Sequence, residues 1–580
     1  MSSTETVDEA DWRRAAGASG LLRTFNDAGV LESSDVQVAQ RLTALAGEAD
    51  ERVALAVAFV VRGLRGGSVC VDLSSVAAQV DDPELPWPAA DAWLAAVHAS
   101  PLLAAPHVLR REGDLLYLDR YWREEEQVAK DLRAMLGGAT TAADTDLERL
   151  FPAGYEEQRR AAKTALSQRL TVLTGGPGTG KTTTVARLLA LFAGQSGSAP
   201  RLRIALAAPT GKAAARLQEA VQVEIDELDP ADRERISGLR ATTLHRLLGS
   251  RPDNSSRFRH HRANRLPHDV IVVDETSMVS LTMMARLLEA VRPEARLLLV
   301  GDPDQLASVE AGAVLADLVE GLGATEGTAV AALQTSHRFG ESIGALAAAI
   351  RDGDADGAIE VLRAGGEHIE WLDVEDAMAD LRKVLLPQAL RLREAAVLGD
   401  AATALETLDE HRLLCAHRRG PHGVQHWNRQ VERWLAEATG EPIWSDWYAG
   451  RPVLVTANDY GLTLYNGDTG VTVSDPTGLR AVIGGAGAPL SFATGRLPDV
   501  DTMHAMTIHK SQGSQASEVT VLMPPVDSRL LTRELFYTAV TRAKAKVRVV
   551  GSEASVRAAI DRRAVRASGL ALRLQRPAAD

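Results

Sequence analysis

A glycine-rich stretch that ends in lysine and threonine carries the strongest chemical signal in the sequence. Residues 175–182 read GGPGTGKT and follow an apolar run at residues 170–173 that is typical of a buried strand. The apolar spacing of residues 185–192 predicts a helix directly afterwards. A G-x-x-x-x-G-K-[ST] loop in this context binds a polyphosphate through backbone N–H groups and the positive end of the helix. The stretch therefore predicts a nucleoside triphosphate site.

Two side chains of this loop have predicted roles of their own. The ammonium group of Lys181 would reach the β- and γ-phosphates, and the hydroxyl group of Thr182 would bind Mg²⁺. The predicted nucleotide-binding residues of the loop are Gly175, Gly176, Pro177, Gly178, Thr179, Gly180, Lys181, Thr182 and Thr183.

Two acidic residues and a glutamine follow later apolar runs and would complete a hydrolytic site. Asp274 and Glu275 end the run at residues 270–273. Asp274 would hold Mg²⁺, and Glu275 would orient and deprotonate the attacking water. Gln305 lies in VGDPDQL after another apolar run, where its amide group can sense the γ-phosphate.

Phosphoryl transfer also needs positive charge on the γ-phosphate oxygens, which an arginine often supplies. The two candidates are Arg338 in SHRF and Arg542 in YTAVTRAK, and both lie outside the α/β unit that holds the phosphate loop. If both reach one nucleotide, that nucleotide lies between two α/β units. Hydrolysis would then open and close the cleft, as in a motor.

The order of apolar runs divides the chain into units that position these residues. Residues 147–335 alternate short strands with helices, which predicts an α/β unit with a doubly wound parallel sheet and its ligand at the carboxyl ends of the strands. Residues 336–449 and 501–575 predict a second unit of this kind. It is interrupted at residues 450–500 by a small β insert with an Asn-Gly hairpin signal. Residues 1–135 predict a separate, mainly helical domain.

Composition sets further bounds. The net charge of −13 excludes an all-over basic coat for nucleic acid, but it leaves room for a local basic channel.

Cys70 and Cys415 lie in apolar runs, which predicts buried free thiols in a reducing compartment. No apolar run approaches the roughly 20 residues of a membrane span, and the acidic, polar N-terminus is unlike a signal peptide. We therefore expect a cytoplasmic protein.

Nine segments between residues 154 and 544 occur in a fixed order, and together they resemble superfamily-one helicases. They are Gln158, GGPGTGKTT, APTGKAAARL, ATTLHRLLG, VVDETSM, LLLVGDPDQLASV, HRF, AMTIHKSQGS and ELFYTAVTRAK. Within that group, APTGKAAARL, VGDPDQLASVEAG, NDYGLTLYNGDTG and TIHKSQGSQ resemble the RecD family, the alpha subunits of the RecBCD helicase–nuclease (exodeoxyribonuclease V). GSVCVDLSSVA near the N-terminus is similar to that family too.

The resemblance implies an ATP- and Mg²⁺-dependent 5′-to-3′ DNA helicase of double-strand-break repair and recombination. It implies two RecA-like domains, an SH3-like fold for residues 450–500, and a complex with RecB-like and RecC-like chains through residues 1–135. Gln158 would read the adenine edge. The same resemblance gives Lys181, Thr182, Asp274, Glu275, Gln305, Arg338 and Arg542 the nucleotide roles described above.

The remaining matched segments would grip single-stranded DNA with polar, mostly neutral groups. Such a grip can release at every cycle, so the acidic net charge is no obstacle. The predicted DNA-binding residues are Pro209, Thr210, Lys212, Thr243, His245, Asn466, Thr507, His509, Lys510 and Gln512.

Two departures from the longer stand-alone RecD-like helicases favour a complex-bound subunit. Only about 150 residues precede the motor, and they lack paired helix-hairpin-helix elements. No Asp…Glu-x-Lys nuclease cluster is evident, so nuclease activity would belong to a partner chain. Three alternatives stay open: a stand-alone helicase, an ATP-dependent switch that binds DNA without stepping, and an RNA helicase, since the polar grip does not exclude a 2′-OH.

Overall fold

The computed structural model describes residues 13–80, 82–136, 147–195, 201–251, 254–323, 329–335, 341–374, 378–459, 461–485 and 488–576. Within these ranges the chain forms two parallel α/β sheets, a β insert and an N-terminal region of helices with a small sheet. The predicted α/β fold class with two doubly wound units is confirmed. No helix among the described residues is long and apolar enough to cross a bilayer.

The first sheet has six strands, and every neighbouring pair is parallel. Helices cover both faces, which is why its central strands are buried almost throughout rather than alternating. The strands in spatial order are Val330–Leu333, Leu170–Gly175, Arg296–Gly301, Val270–Val273, Ile204–Ala208 and Ala241–Thr243. The helices of this unit are Leu147–Leu150, Glu156–Ser167, Lys181–Gln195, Gly211–Asp226, Pro230–Arg235, Leu244–Leu248, Leu281–Ala290 and Val314–Gly323, with a 3-10 turn at Thr276–Met278. A separate strand pair joins Ser250–Arg251 to Asn254–Phe258.

Strand order decides which chemical groups meet. Arg296–Gly301 lies between the strand that leads into the phosphate loop and the strand that ends before Asp274. The carboxyl ends of parallel strands share one edge of a sheet, so three functional segments converge there. Ile204–Ala208 and Ala241–Thr243 end at the same edge but further across. The candidate nucleotide and DNA residues of the first unit therefore occupy neighbouring parts of one edge.

The second sheet has five parallel strands. In spatial order they are Ile369–Leu372, Ala543–Val550, Ala516–Leu522, His411–Cys415 and Ala505–Thr507. The helices around it are Glu341–Asp352, Ala355–Ala364, Met378–Val397, Ala401–Glu410, Val424–Thr439, Ile508–Ser511, Arg533–Val540 and Glu553–Asp561. Cys415 is buried as a free thiol in this sheet, as predicted.

The insert is a five-stranded antiparallel sheet. Its strands in spatial order are Leu490–Ala493, Gly478–Ile483, Thr469–Asp475, Pro452–Val455 and Val500–Thr502, with a 3-10 turn at Thr494–Arg496. A small apolar cluster that includes Val453, Leu464 and Ile483 forms its own core. The antiparallel strands agree with the predicted β insert, and the SH3-like topology stays a prediction.

The N-terminal region is mainly helical, as predicted, and also holds a three-stranded antiparallel sheet. The sheet holds the free thiol of Cys70, which is buried. The helices are Gly20–Asp27, Ser33–Ala46, Glu51–Arg65, Val76–Val80, Ala90–Ala99 and Asp119–Leu136, with a 3-10 turn at Pro101–Leu103. The strands are Cys70–Asp72, Leu109–Glu112 and Leu115–Leu118.

The C-terminal helix Leu570–Gln575 differs from the sequence expectation, which placed it in the second α/β unit. Its residues Leu570 and Leu574 are buried in the core shared by the first sheet and helix Asp119–Leu136. The carboxylate of Glu125 is fully buried and accepts a 3.0 Å hydrogen bond from Nε of Arg573. The end of the chain therefore joins the N-terminal region to the first α/β unit.

A candidate nucleotide site and nucleic-acid channel

The phosphate loop has the backbone shape that its glycines predicted. Gly178 and Gly180 have positive φ angles of 80° and 81°, a region open to glycine at low cost. Thr179 Oγ1 donates to the carbonyl of Gly176 at 2.9 Å, which closes the turn. Nζ of Lys181 lies 2.5 Å and 2.8 Å from the carbonyl oxygens of Gly175 and Gly176. The ammonium group is thus centred on the loop, where a polyphosphate would bind.

Two other predicted nucleotide-binding residues have side chains that contact protein groups beside the loop. Nε2 of Gln158 lies 3.5 Å from the carbonyl oxygen of Thr179, and the side chain is buried. It supports the loop from the first unit, and its predicted reading of adenine stays a prediction. The hydroxyl of Thr183 donates to Glu224 at 2.6 Å. That bond fixes the first turn of helix Lys181–Gln195 and turns this hydroxyl away from the loop.

Asp274 and Glu275 lie at the converging strand ends, as predicted. Burial, with a smaller contribution from the neighbouring Glu275, raises the pKa of Asp274 to about 6, whereas the charge of Lys181 acts to lower it. Glu275 has a φ of 50°, a left-handed conformation that is uncommon for a residue with a side chain. Non-glycine residues held in such conformations cluster at functional sites. The backbone strain marks Glu275 as the positioned carboxylate.

Asp302 joins the acidic group, although the sequence did not single it out. It is buried, and burial raises its pKa. Its carboxylate accepts hydrogen bonds from Nε2 of Gln305 and from the hydroxyl of Tyr537, both at 3.1 Å. Gln305 was predicted from the sequence, and its amide group is oriented by this bond.

The second α/β unit contributes directly to the site. The hydroxyl of Tyr537 is so close to the phosphate loop that a Cβ on Gly176 would lie 3.0 Å from it. Arg542 is buried, its Nε donates to the carbonyl of Thr538 at 3.0 Å, and its charge interacts with that of Glu275. The structure therefore brings Arg542 to the first unit's acidic group, as predicted. Arg338 lies outside the described residues.

A cavity of about 290 Å³ lies beside this site, between the first unit, the insert and the second unit. Nine of the ten predicted DNA residues line it: Pro209, Thr210, Lys212, Thr243, His245, Asn466, His509, Lys510 and Gln512. The tenth, Thr507, lies just behind the lining, and its hydroxyl caps helix Ile508–Ser511 by accepting from the N–H of Lys510 at 3.2 Å. The motifs thus converge on one cavity, the candidate channel for DNA, and binding of DNA there stays a prediction.

Three threonines of the set share a structural role. The hydroxyls of Thr210, Thr243 and Thr507 each cap the start of a helix at the channel by accepting a backbone N–H. Each hydroxyl keeps its own proton for donation to a phosphate oxygen. The histidines are suited to the same neutral grip, because burial lowers the pKa of His245 and of His509 below the usual value.

The insert closes the channel through contacts that the sequence analysis missed. Lys510 donates to Oδ1 of Asn466 at 2.7 Å, which links the second unit to the insert. Tyr465 also lines the cavity, and a Cβ on Gly211 would lie 2.3 Å from its ring. Gly211 is therefore required by the close approach of this ring. An aromatic residue beside Asn-Gly in a predicted nucleic-acid insert is a signal that could have identified Tyr465.

Arg216 was also missed, and it connects the two sites. Its Nη1 donates to the carbonyl of Gly513 and its Nη2 to Oε1 of Gln515, both at 2.9 Å. Its charge acts on Asp274 at the nucleotide site and on Lys212 in the channel. Arg216 follows Lys212 by four residues on helix Gly211–Asp226, so the two side chains share one helix face.

A second connection runs through Leu306. Its N–H donates to Oγ1 of Thr538 at 2.9 Å, and its carbonyl accepts from Nε2 of Gln512 at 2.8 Å. Gln512 is therefore held at the boundary between the units, in addition to lining the channel. The segment that carries Gln305 thus contacts the nucleotide site on one side and the channel on the other.

Comparison with known proteins places the chain in a family. The model for the AAA domain matches residues 154–373, that for the UvrD-like helicase C-terminal domain matches 502–550, and that for the N-terminal domain of RecBCD enzyme subunit RecD matches 27–117. RecBCD enzyme subunit RecD of Mycolicibacterium smegmatis is 74% identical over 560 residues, which cover 96% of this chain and 99% of that protein. The chain belongs to the RecD family.

Other RecD-family relatives agree. RecBCD enzyme subunit RecD of Mycobacterium tuberculosis is 70% identical over 564 residues, covering 97% of this chain and 98% of that protein. The ATP-dependent RecD2 DNA helicase of Deinococcus radiodurans is 31% identical over 460 residues, covering 78% of this chain and 57% of that longer protein. The RecD-family chain is therefore a helicase, and it is similar to RecBCD subunits over nearly their whole length.

Proposed function

We propose that this RecD-family helicase is an ATP-driven 5′-to-3′ translocase on single-stranded DNA, acting as a subunit of a RecBCD-type complex in double-strand-break repair. The observation that carries the proposal is the pair of hydrogen bonds at Leu306. They tie the segment that senses the nucleotide to Thr538 of the second unit and to Gln512 at the channel. A change at the γ-phosphate can therefore move the two halves of the channel relative to one another.

The nucleotide site supports ATP hydrolysis with roles divided between the units. Lys181 binds the β- and γ-phosphates, Glu275 orients and deprotonates water, and Gln305 contacts both water and γ-phosphate. Arg542 supplies positive charge to the phosphate oxygens from across the cleft, as Arg338 is also proposed to do. Hydrolysis is then fast only when the cleft is closed.

The donor set suits Mg²⁺. A threonine hydroxyl and a carboxylate are hard oxygen ligands, which magnesium prefers when it is also bound to phosphate. Asp274 is buried beside Lys181 and Glu275, and burial opposes its ionisation. A divalent cation would relieve that cost. Thr182 and Asp274 would hold the ion, which when bound neutralises phosphate charge.

Two predictions on DNA and partners rest on family membership together with the channel. The 5′-to-3′ direction and the RecB-like and RecC-like partners follow the RecBCD subunits that the chain resembles. The ten channel residues are the proposed DNA contacts, and residues 1–135 are the proposed partner surface. Nuclease activity is assigned to a partner chain, because the sequence shows no Asp…Glu-x-Lys cluster.

Unwinding of 5′-tailed partial duplexes tests this proposal. The assay uses the complex with its other motor disabled, and compares wild type with Lys181→Gln. Lys163→Gln, at an exposed lysine on helix Glu156–Ser167, is the matched control. We expect Lys181→Gln to abolish unwinding and the control to retain it. Intact unwinding of 5′-tailed duplexes by Lys181→Gln would contradict the proposal.

Co-purification tests the assembly separately. The tagged chain, expressed in its native cell, should elute with two larger chains in a stable complex. A monomer with full unwinding activity would instead identify a stand-alone helicase.

A further inference from the structure

A row of exposed arginines continues from the channel onto the second unit, and neither the motifs nor the proposed contacts include it. The arginine strip consists of Arg418, Arg419, Arg429 and Arg433. The first two lie in the loop HRRGPHG, and the other two lie on helix Val424–Thr439. Among the described residues, none of these guanidinium groups has a hydrogen-bond or ion-pair partner.

Sheet register places this strip against the channel. Strands His411–Cys415 and Ala505–Thr507 are parallel neighbours, with Cys415 paired to Thr507. Both strands end at the same edge of the sheet. The loop that begins at His417 therefore runs beside His509 and Lys510. Burial lowers the pKa of Lys510, and the charge of Arg418 lowers it further. The strip therefore begins where the channel ends.

The helix extends the strip in one direction. Gln425, Arg429 and Arg433 are spaced by four residues and share a face, which spans about 12 Å at 1.5 Å per residue. A groove of about 290 Å³ follows this face, lined by Gly420, Gln425, His426, Arg429, Gln430 and Arg433. Gln430 forms a buried polar part of the groove.

From Arg418 to Arg429 the charge along the strip is of one sign. From His411 to Val431 the sequence contains no Asp or Glu. The first carboxylate after it, Glu432, accepts a hydrogen bond from the hydroxyl of Tyr448 at 3.2 Å. Residues 411–431 therefore contribute only positive and neutral groups to this surface. Arginines in such a row match the spaced phosphates of a nucleic-acid backbone.

We infer that the arginine strip binds the phosphates of the single strand immediately outside the channel, beyond Lys510. The inference rests on the proposed function, because it extends the path of the same strand. It distinguishes two parts of the path. The channel grips with mostly neutral groups that can release, whereas the strip holds a following segment of strand through charge.

Binding of two oligonucleotides by the full chain, measured against salt concentration, tests this inference. One is about 8 nucleotides long, to fill the channel, and the other is about 16, to reach the strip. Arg429→Gln/Arg433→Gln should reduce the salt slope of log affinity for the long strand by about 1.4, at about 0.7 per lost phosphate contact. It should leave binding of the short strand unchanged. Arg41→Gln/Arg111→Gln, at exposed arginines of the N-terminal region, is the charge-matched control.

Each result separates the strip from the channel. Lys510→Gln should weaken both strands, since both pass through the channel. An unchanged slope for Arg429→Gln/Arg433→Gln with the long strand would overturn the inference, while the effect of Lys510→Gln would still support the proposed function. If the double variant instead lost only its partner chains in co-purification, the strip would be a protein-binding surface and the inference would again be wrong.

Discussion

The charged residues of the two sites differ in the unit that supplies them and in how deeply they are buried. Lys181 and Glu275 lie within the first unit, whereas Arg542 reaches them from the second and is buried there. Lys212 is desolvated in the channel, unlike an ordinary surface lysine. These environments lead to two predictions, one for each site.

Arg542→Gln should retain ATP binding and lose hydrolysis. The nucleotide would still be held by the phosphate loop, but the γ-phosphate oxygens would lose one of their positive partners, and an arginine in this role contributes about 10³- to 10⁵-fold to turnover. Fluorescent-nucleotide binding and steady-state ATPase assays would measure the two effects. A turnover number within a few-fold of wild type would rule out the proposed role of Arg542.

DNA affinity should fall as pH rises from 7 to 9. Burial, with added repulsion from Arg412, lowers the pKa of Lys212 to about 8. A lysine with a lowered pKa is charged below that value and neutral above it, so one phosphate contact weakens across this window. Lys212→Arg stays charged throughout and should flatten the profile. Fluorescence anisotropy with a labelled single strand measures this, and identical profiles for both proteins would contradict the role of Lys212.

At the scale of elements, helix Gly211–Asp226 and the loop at Gly513–Gln515 form the joint between the sites. Arg216 spans that joint with two 2.9 Å hydrogen bonds. Its charge also acts on Asp274 and on Lys212. We therefore expect Arg216 to transmit the state of one site to the other.

Arg216→Gln should reduce stimulation of ATPase activity by DNA about tenfold, which corresponds to about 1.4 kcal/mol of lost coupling. Hydrolysis without DNA should change less, because Arg216 donates its hydrogen bonds to Gly513 and Gln515 and acts on Asp274 and Arg542 only through its charge. Arg240→Gln is the control, since this exposed arginine lies at the opposite end of strand Ala241–Thr243. Full stimulation in Arg216→Gln would show that the joint does not couple the sites.

The sequence predicted individual helices and strands better than it predicted which of them pair or pack together. Apolar runs identified the strands before Asp274 and Gln305, because a strand buried on both faces is continuously apolar. Which strands pair was not readable, since pairing joins residues far apart in the chain. Helix Leu570–Gln575 shows the same limit: the sequence placed it in the second α/β unit, whereas it packs on the first unit and the N-terminal region. The sequence did not predict a role for Arg216 or Tyr465, because only the fold brings their partners near.

At the scale of the whole molecule, the C-terminal segment joins the N-terminal region to the motor. Glu125 is fully buried and accepts from Arg573, from Oγ of Ser568 and from the N–H of Gly569. Arg573 also contacts Glu112. A rigid joint of this kind would hold the proposed partner domain in a fixed position relative to the first α/β unit.

Arg573→Ala should destabilise this joint by about 3–5 kcal/mol, because it leaves the buried carboxylate of Glu125 without its cation. Arg576→Ala removes a mostly exposed partner of Glu112 and should cost at most about 1 kcal/mol. Differential scanning calorimetry of the two variants makes the comparison. Equal shifts in the unfolding transition would show that the buried pair does not stabilise the joint.

The central claim is that ATP hydrolysis between the two α/β units moves single-stranded DNA through the adjacent channel. Displacement of streptavidin from biotinylated single strands, by the complex with its partner motor disabled, measures that movement directly. We predict displacement from the 3′ end, none from the 5′ end, and loss of the activity in Lys181→Gln. Displacement that persists in Lys181→Gln, or that occurs only at the 5′ end, would contradict the claim.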